Sequence, residues 1–472
     1  MKSNFRRNFL EAIVVVNNSY SQITSDLPRD VIEALDRKCS FYVQGYQFSE
    51  LYKKNIWDGK KHLFSVKTFA FQTGLISIIK QVLNAFEIEM AIKDMRVKPL
   101  KRYDVDYKGY ELREYQNDAV NAGLSCGRGV INVSTGGGKT LIMAKLAKEL
   151  GLKTLVLVNT QEALFDTIKT LKNSFDAEFF TLYNKTKIVN KFITVTTMQM
   201  AVSELKSKKE DSLLSYKFDC LMLDESHHSA AKSWQNVVLK IAPYHIFGFT
   251  GTNFRGDGAD LLMMGVSGRA IYKLPAKTLQ ELGYLVEANI YFVNIVFPEI
   301  KANYSDYWEL YRIGIIMNDY RNRIIQQIAK KHIGQSILVV VEKIEHGEIL
   351  LELLKEIDPE AVFVHGKTKN REILKKKFES GEIRTIIASR IYNESADLPI
   401  LNVVINCSGG KSGIAVIQRI GRSLRIHQSK ERAIVYDFND IFSSKLEKHS
   451  NERMKVIKKE GHKIIELAPE DI

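Results

Sequence analysis

The sequence predicts an α/β protein in which two parallel-sheet lobes follow a small α+β domain. Three observations carry that prediction. Between about Leu150 and Asp440, short β-branched runs alternate with amphipathic stretches, the pattern of parallel strands joined by crossover helices. Those runs are too many for one comfortable sheet, and a break near Gly251 to Gly258, followed by a stretch rich in Gly, Lys and Tyr up to about Tyr284, divides them. The first hundred residues read differently, with aromatic and basic side chains interleaved in Phe41 to Phe48 and Asn55 to Phe64.

The elements follow in order. Lys2, Arg6 and Arg7 precede Ala12 to Val16, but Glu11 interrupts the apolar stretch that begins at Phe9 and no small-residue cleavage site follows, so the start reads as a first β-strand and not as a signal peptide. Trp57-Asp58-Gly59-Lys60 reads as a hairpin turn between strands. Strands are expected at Ile131 to Val133, Thr154 to Val158, Phe192 to Thr196, Cys220 to Leu223 and Ile246 to Phe249. A second set falls at Ile337 to Val341, Ala361 to Val364, Thr385 to Ala388, Val403 to Ile405 and Ala433 to Tyr436. After Phe438 the chain is charged and helical in pattern, with Lys445, Lys448, Arg453, Lys455, Lys458, Lys459 and Lys463. The expected divisions are 1–104, 105–284 with its connector, 285–445, and a basic tail at 446–472.

Composition narrows the function classes. The 472 residues carry a formal net charge of +13, which favours a polyanionic partner, nucleic acid first. Cys39, Cys126, Cys220 and Cys407 lie far apart without a Cys-x-x-Cys pair, so neither a disulfide framework nor a zinc ribbon is suggested, and a reducing, cytoplasmic setting is expected. No uninterrupted apolar run is long enough to span a bilayer.

The chemistry is concentrated in three motifs. In Ser134-Thr135-Gly136-Gly137-Gly138-Lys139-Thr140, between a strand and an amphipathic helix, backbone N–H groups and the helix N-terminus would cradle phosphates. Lys139 would neutralise the β/γ oxygens of ATP, and the Thr140 hydroxyl would ligate Mg²⁺. The run Phe218 to Leu223 ends in Asp224-Glu225-Ser226-His227, at the strand end where α/β sheets bind ligands. There Asp224 would hold the Mg²⁺ shell, Glu225 would polarise the attacking water, and His227 would relay to the next motif. Gln418 to Arg425 places Arg422 and Arg425 on one helical face, suited to act as arginine fingers.

Together these residues resemble the superfamily-two helicases of the DExH type, over roughly residues 105 to 440. Those helicases commonly share the departure of Val133 from the strict loop pattern. The resemblance implies two RecA-like lobes that close on ATP. It implies that Gln116, supported by Arg113, reads adenine, that Thr250 and Thr252 couple hydrolysis to lobe movement, and that Asp397 belongs to the ATP site. Gln418 joins the catalytic set. Ser395 occupies a usual glycine position beside Asp397. Strand-end motifs at Thr160, Thr196, Thr197, Lys343, His365, Gly366 and Ser389 would line the nucleic-acid track.

At the amino end, Gly45-Tyr46-Gln47-Phe48, Trp57-Asp58-Gly59-Lys60 and Phe71-Gln72-Thr73-Gly74-Leu75 resemble the accessory domain of the UvsW-type phage helicases. That resemblance implies ATP-driven branch migration, fork regression and unwinding of D-loops or R-loops in replication, recombination and repair. The accessory domain would grip duplex DNA, with Lys53, Lys54, Lys60 and Lys61 on phosphates and Trp57 in packing. RNA–DNA hybrids are a further expected partner. An RNA helicase or single-strand translocase, a nucleotide-regulated DNA-binding module and the motor half of a restriction system stand as alternatives.

Overall fold

The computed structural model describes residues 11–99, 102–184, 191–205, 213–251, 258–296, 306–389, 400–410, 421 and 432–472. Two compact units result: Met1–Val133 with Gly138–Lys273, and Ser134–Gly137 with Leu274–Ile472.

The first unit opens with a mixed sheet. Its strands are β1 (Glu11–Val16), β2 (Tyr20–Ile23), β5 (Ala70–Gln72) and β6 (Glu89–Asp94), ordered β5-β2-β1-β6, while β3 (Ser40–Tyr42) and β4 (Lys60–His62) form a separate antiparallel pair. In β1 the alternation buries Ala12, Val14 and Val16 and turns Glu11 and Ile13 outward, as a sheet with one covered face requires. Helix Arg29–Lys38 lays Val31 and Leu35 on that face, and helix Ile76–Ala85 adds Ile79 and Leu83. The expected hairpin at Trp57 to Lys60 is corrected. That turn lies between the short helix Glu50–Lys53 and β4, so only one of its arms is a strand.

The same unit continues with β7 (Arg128–Val133), β8 (Thr154–Val158), β9 (Phe180–Leu182), β10 (Ile193–Thr197), β11 (Cys220–Leu223), β12 (His245–Thr250) and β13 (Ala270–Leu274), ordered β13-β7-β12-β11-β8-β10-β9. Pairings from β7 to β9 are all parallel. Every residue of β8, β10 and β11 is buried, which is why each reads as a continuous apolar or threonine-rich run instead of an alternating one. The region expected to be connector supplies β13, an edge strand of this sheet.

The mixed-sheet domain is seated directly on this lobe. A Cβ on Gly74 would lie 2.1 Å from the Met264 carbonyl oxygen, and one on Gly265 would lie 2.0 Å from Gln72 Oε1, so backbones touch where helix Ala259–Ser267 passes. Leu261 and Met264 of that helix pack against the domain's core. Asn18 Nδ2 donates to the Ala242 carbonyl at 2.7 Å, and the Asn18 carbonyl accepts from the buried Arg128 guanidinium.

The second unit is built on β14 (Glu287–Ile295), β15 (Ile337–Val341), β16 (Val362–Val364), β17 (Thr385–Ser389), β18 (Val403–Asn406), β19 (Arg432–Asp440) and β20 (Ile464–Leu467), ordered β16-β17-β15-β18-β19-β14-β20 and parallel throughout. Two buried Arg–Asp pairs fasten helices to β19: Arg321 meets Asp440 at 2.8 Å and Arg453 meets Asp437 at 2.9 Å. The reading of 446–472 as a basic tail is corrected by this arrangement. Helix Ser444–Lys459 buries Leu446, Arg453, Met454 and Ile457, and β20 joins the sheet beside β14. Arg453 spends its guanidinium on Asp437, the Phe438 carbonyl at 2.8 Å and the Gly410 carbonyl at 2.7 Å.

Removing one partner of a buried ion pair leaves the other charge uncompensated. Arg453→Ala is therefore expected to cost about 3–5 kcal/mol in equilibrium denaturation; an unchanged midpoint would show that the helix is the solvated tail first expected.

Candidate nucleotide site and nucleic-acid face

The sheet order of the first unit decides what meets at its carboxyl edge. Since β7, β12, β11, β8 and β10 are successive neighbours, the edge presents in turn the turn after Val133, Thr250, Asp224, Thr160 and Thr197. The residues expected to handle nucleotide sit at one end of this row and the expected nucleic-acid residues at the other.

The turn from Ser134 to Gly138 is tight: the Gly137 N–H donates to the Ser134 carbonyl at 3.0 Å, and Gly136 and Gly138 hold φ of 89° and 80°. Helix Lys139–Leu150 starts immediately after Gly138, whose carbonyl accepts from the Leu141 N–H at 3.0 Å. A Cβ on Gly138 would lie 2.4 Å from Gln116 Nε2, so the Gln116 amide rests against the turn. Helix Glu114–Cys126 fixes that amide, because the Arg113 N–H donates to Gln116 Oε1 at 3.0 Å and the Arg113 guanidinium donates to the Tyr115 hydroxyl at 3.3 Å. Thr135 shares its compact unit with Gly421, the described residue of the arginine motif, whose added Cβ would lie 2.6 Å from Thr135 Cβ.

A chain of charged and polar contacts runs from Lys139 to Thr250. Lys139 Nζ lies 3.5 Å from Glu225 Oε1, His227 Nδ1 lies 3.3 Å from Glu225 Oε2, and the same Nδ1 lies 3.3 Å from Thr250 Oγ1. Glu225 adopts φ of 47°, a left-handed conformation uncommon outside glycine, which turns its carboxylate off the strand axis. Asp224 is anchored by its N–H to the Leu157 carbonyl at 2.9 Å. Burial at the strand end, reinforced by the negative charge of Glu225, pushes its carboxyl up to about 6. Thr140 and Asp224 offer one hydroxyl and one carboxylate, the donor set that suits Mg²⁺ when phosphates and water complete its shell. Among the described residues no group of three or more His, Cys, Asp or Glu could hold a metal alone.

The other expected residues fall into distinct settings. Thr160 Oγ1 accepts from the Ala163 N–H at 3.1 Å and Thr197 Oγ1 from the Met200 N–H at 3.2 Å, so each caps a helix at the carboxyl edge. Thr196 is a correction: it is wholly buried and its hydroxyl donates to the Tyr183 carbonyl at 3.0 Å, because alternation in β10 points it inside when Thr197 sits at the edge. In the second unit Lys343 precedes helix Ile344–Lys355 with its ammonium 4.0 Å over the Trp308 ring. The His365 N–H donates to Thr368 Oγ1 at 3.0 Å, the Gly366 carbonyl accepts from Arg371, and Ser389 closes β17, largely buried. Lys53 pairs with Glu50 at 3.4 Å and Lys60 lies 5.0 Å over Tyr42. Thr252, Asp397, Gln418, Arg422 and Arg425 lie outside the described residues. Trp308, half exposed beneath Lys343, escaped the sequence reading because only the fold brings it to that lysine.

The raised Asp224 has a testable sign. Its proton is kept by the folded protein and released by the unfolded chain between its ordinary 3.8 and about 6, so its contribution to stability is lost as pH rises through that window. Without nucleotide, Asp224→Asn is expected to raise the unfolding free energy at pH 7 by up to about 3 kcal/mol, with the gain shrinking towards pH 4. A gain that does not change with pH would contradict the assignment.

Comparison with known proteins agrees with this geometry. Residues 109–255 match the family model described as type III restriction enzyme, res subunit, and residues 320–427 match the helicase conserved C-terminal domain. The ATP-dependent DNA helicase uvsW of Enterobacteria phage T4 is 26% identical over 463 residues, covering 90% of this chain and 89% of its own. The DNA 3'-5' translocase XPB2 of Sulfurisphaera tokodaii is 24% identical, covering 84% of this chain and 95% of its own. Among solved structures, S. cerevisiae Dbp5 bound to RNA and ADP BeF3 aligns with a TM-score of 0.55 at 15% identity over 76% of this chain and 91% of that one, a likeness of fold. The chain belongs to the superfamily-two helicases, ATP-dependent enzymes with two RecA-like lobes, and it resembles uvsW.

Proposed function

We propose that this helicase remodels branched DNA, driving branch migration, fork regression and unwinding of D-loops or R-loops in the cytoplasm. The observation that carries the reading is the accessory domain, whose backbone contacts with helix Ala259–Ser267 make it part of the first lobe. A domain attached in this way moves with the lobe, so duplex held by Lys53, Lys54, Lys60 and Lys61 is displaced whenever the lobe moves. The likeness to uvsW across 90% of the chain supports the same reading.

The ATP chemistry follows from the contact chain. Lys139 leaves Glu225 for the β/γ-phosphates, and Glu225, freed of its ion pair, orients the attacking water. Mg²⁺ held by Thr140 and Asp224 would neutralise charge on the phosphates. Arg422 and Arg425 are proposed to stabilise the charge that develops on the γ-phosphate, with Gln418 beside them. Gln116 and Asp397 complete nucleotide binding. His227 reports the state of Glu225 to Thr250 and, through the strand end, to Thr252. Thr160, Thr197, Lys343, His365, Gly366 and Ser389 are proposed to meet the nucleic-acid backbone, with weak sequence preference. Movement is proposed to run 3' to 5', as in the DNA 3'-5' translocase XPB2.

Purified protein compared on Holliday junctions, forks, plain duplex and RNA duplex, with and without ATP, tests the proposal. Junctions and forks are expected to be resolved fastest and only with ATP, with Glu225→Gln lowering turnover at least a hundredfold while nucleotide still binds. Equal rates on RNA duplex and forks would favour an RNA helicase, and near-normal turnover by Glu225→Gln would refute its role.

A further inference from the structure

The accessory domain displays large apolar side chains that its core does not use. Phe48 is 76% exposed and Ile56 70%, with Leu51 and Tyr42 both half exposed. A scattered exposed leucine needs no explanation; four such residues in one short module do. Backbone hydrogen bonds hold three of them around a single turn. The Ser49 N–H donates to the Tyr46 carbonyl at 3.0 Å, leading into helix Glu50–Lys53, and the Ile56 N–H returns to the Leu51 carbonyl at 2.9 Å. The turn is supported from within by other residues. Tyr46 stacks on Tyr42 at 4.6 Å and meets Tyr52 edge-on at 4.8 Å, and Trp57 Nε1 donates to the Lys60 carbonyl at 2.7 Å. Phe48 and Ile56 are therefore spare.

Charge around the turn selects what could cover it. Its acids are engaged: Glu50 holds Lys53, while Asp36 and Asp58 hold His62 at 2.6 and 3.0 Å. Among the described residues, Lys54, Lys60 and Lys61 make no ion pair. Lys61 is held below the ordinary lysine range by burial first and then by the charge of Lys232, which begins helix Lys232–Ile241 of the same unit. A lysine that feels a second positive charge and has no acid of its own is relieved by an anion. Spare apolar side chains in a module that also carries unpaired lysines match a nucleic-acid end, whose base faces are apolar and whose flanks are phosphates. A protein partner or a second copy would account for the apolar residues and leave the cations unexplained.

We propose that this module reads the branch point of DNA: Phe48 and Ile56 stack on the last base pair, while Lys54, Lys60, Lys61 and Lys232 hold the flanking phosphates. The assignment rests on the DNA-remodelling reading and adds the place where the branch is sensed. Phe48 and Ile56 make the base contact, and Lys232 extends the cationic flank from the accessory domain onto the motor lobe.

The test uses the full chain without ATP, on a fork carrying 2-aminopurine in the branch-point pair and on the same fork with the probe deep in the duplex arm. Wild-type protein is expected to change the fluorescence of the branch-point probe alone. Phe48→Ala with Ile56→Ala should abolish that change and weaken fork binding about tenfold, with blunt-duplex affinity little altered, and Phe48→Trp should restore the signal. Lys232→Ala should weaken binding to fork and duplex alike and reduce the salt slope by about one. An unchanged signal in the double variant, or no signal from the wild type, overturns the proposal. So does self-association in sedimentation that Phe48→Ala abolishes, which would assign the face to a second copy. Because the readout needs no ATP, a protein that senses the branch pair yet never opens junctions would defeat the remodelling reading and leave this one standing.

Discussion

Everything in the first lobe converges on the contact chain Lys139–Glu225–His227–Thr250. Its members come from the carboxyl ends of three strands or the residues that follow them, Lys139 after β7, Glu225 and His227 after β11 and Thr250 at the end of β12, and those strands are immediate neighbours in the sheet. No single segment could assemble the chain, which therefore depends on the order β7-β12-β11. Glu225 also accepts an unfavourable backbone conformation to reach both Lys139 and His227. Strain of this kind persists only where the surroundings over-determine it, and here the fully buried β11 does so.

The two units solve their remaining problems differently. In the first, an accessory sheet is seated by close backbone approach at Gly74 and Gly265, a contact that tolerates no added atoms and leaves little freedom for the domain to swing. In the second, helices are held to β19 by buried Arg321–Asp440 and Arg453–Asp437 pairs. Such pairs add little net stability over apolar packing, yet losing one partner is costly. They fix which helix lies where, and they remove Arg453 from the cationic surface that its place in a lysine-rich segment implied.

What the sequence made legible follows from what each contact requires. Central parallel strands such as β8, β11 and β15 are covered on both faces, so their apolar runs announced them residue by residue. The edge strands β13 and β20 are partly exposed and mix Lys273 or Glu466 with apolar neighbours, so they lack that mark. The closing helix was masked by its charges, because a buried arginine is recognised only once its carboxylate is in place. The motif proposed to bind nucleotide stood out because phosphate chemistry calls for fixed residue types at short spacing. Thr196 and Thr197 could not be told apart without knowing where β10 ends, and the meeting of Trp308 with Lys343 joins segments far apart in the chain.

The central claim is that His227 carries the state of the ATP site to Thr250, so that hydrolysis becomes movement. Its most direct measurement is the number of ATP molecules consumed per base pair opened on a forked DNA, compared between wild type and His227→Ala. The account predicts that His227→Ala keeps DNA-stimulated hydrolysis within about an order of magnitude and consumes many more ATP molecules per base pair. An unchanged ratio, with hydrolysis and opening falling together, would contradict it.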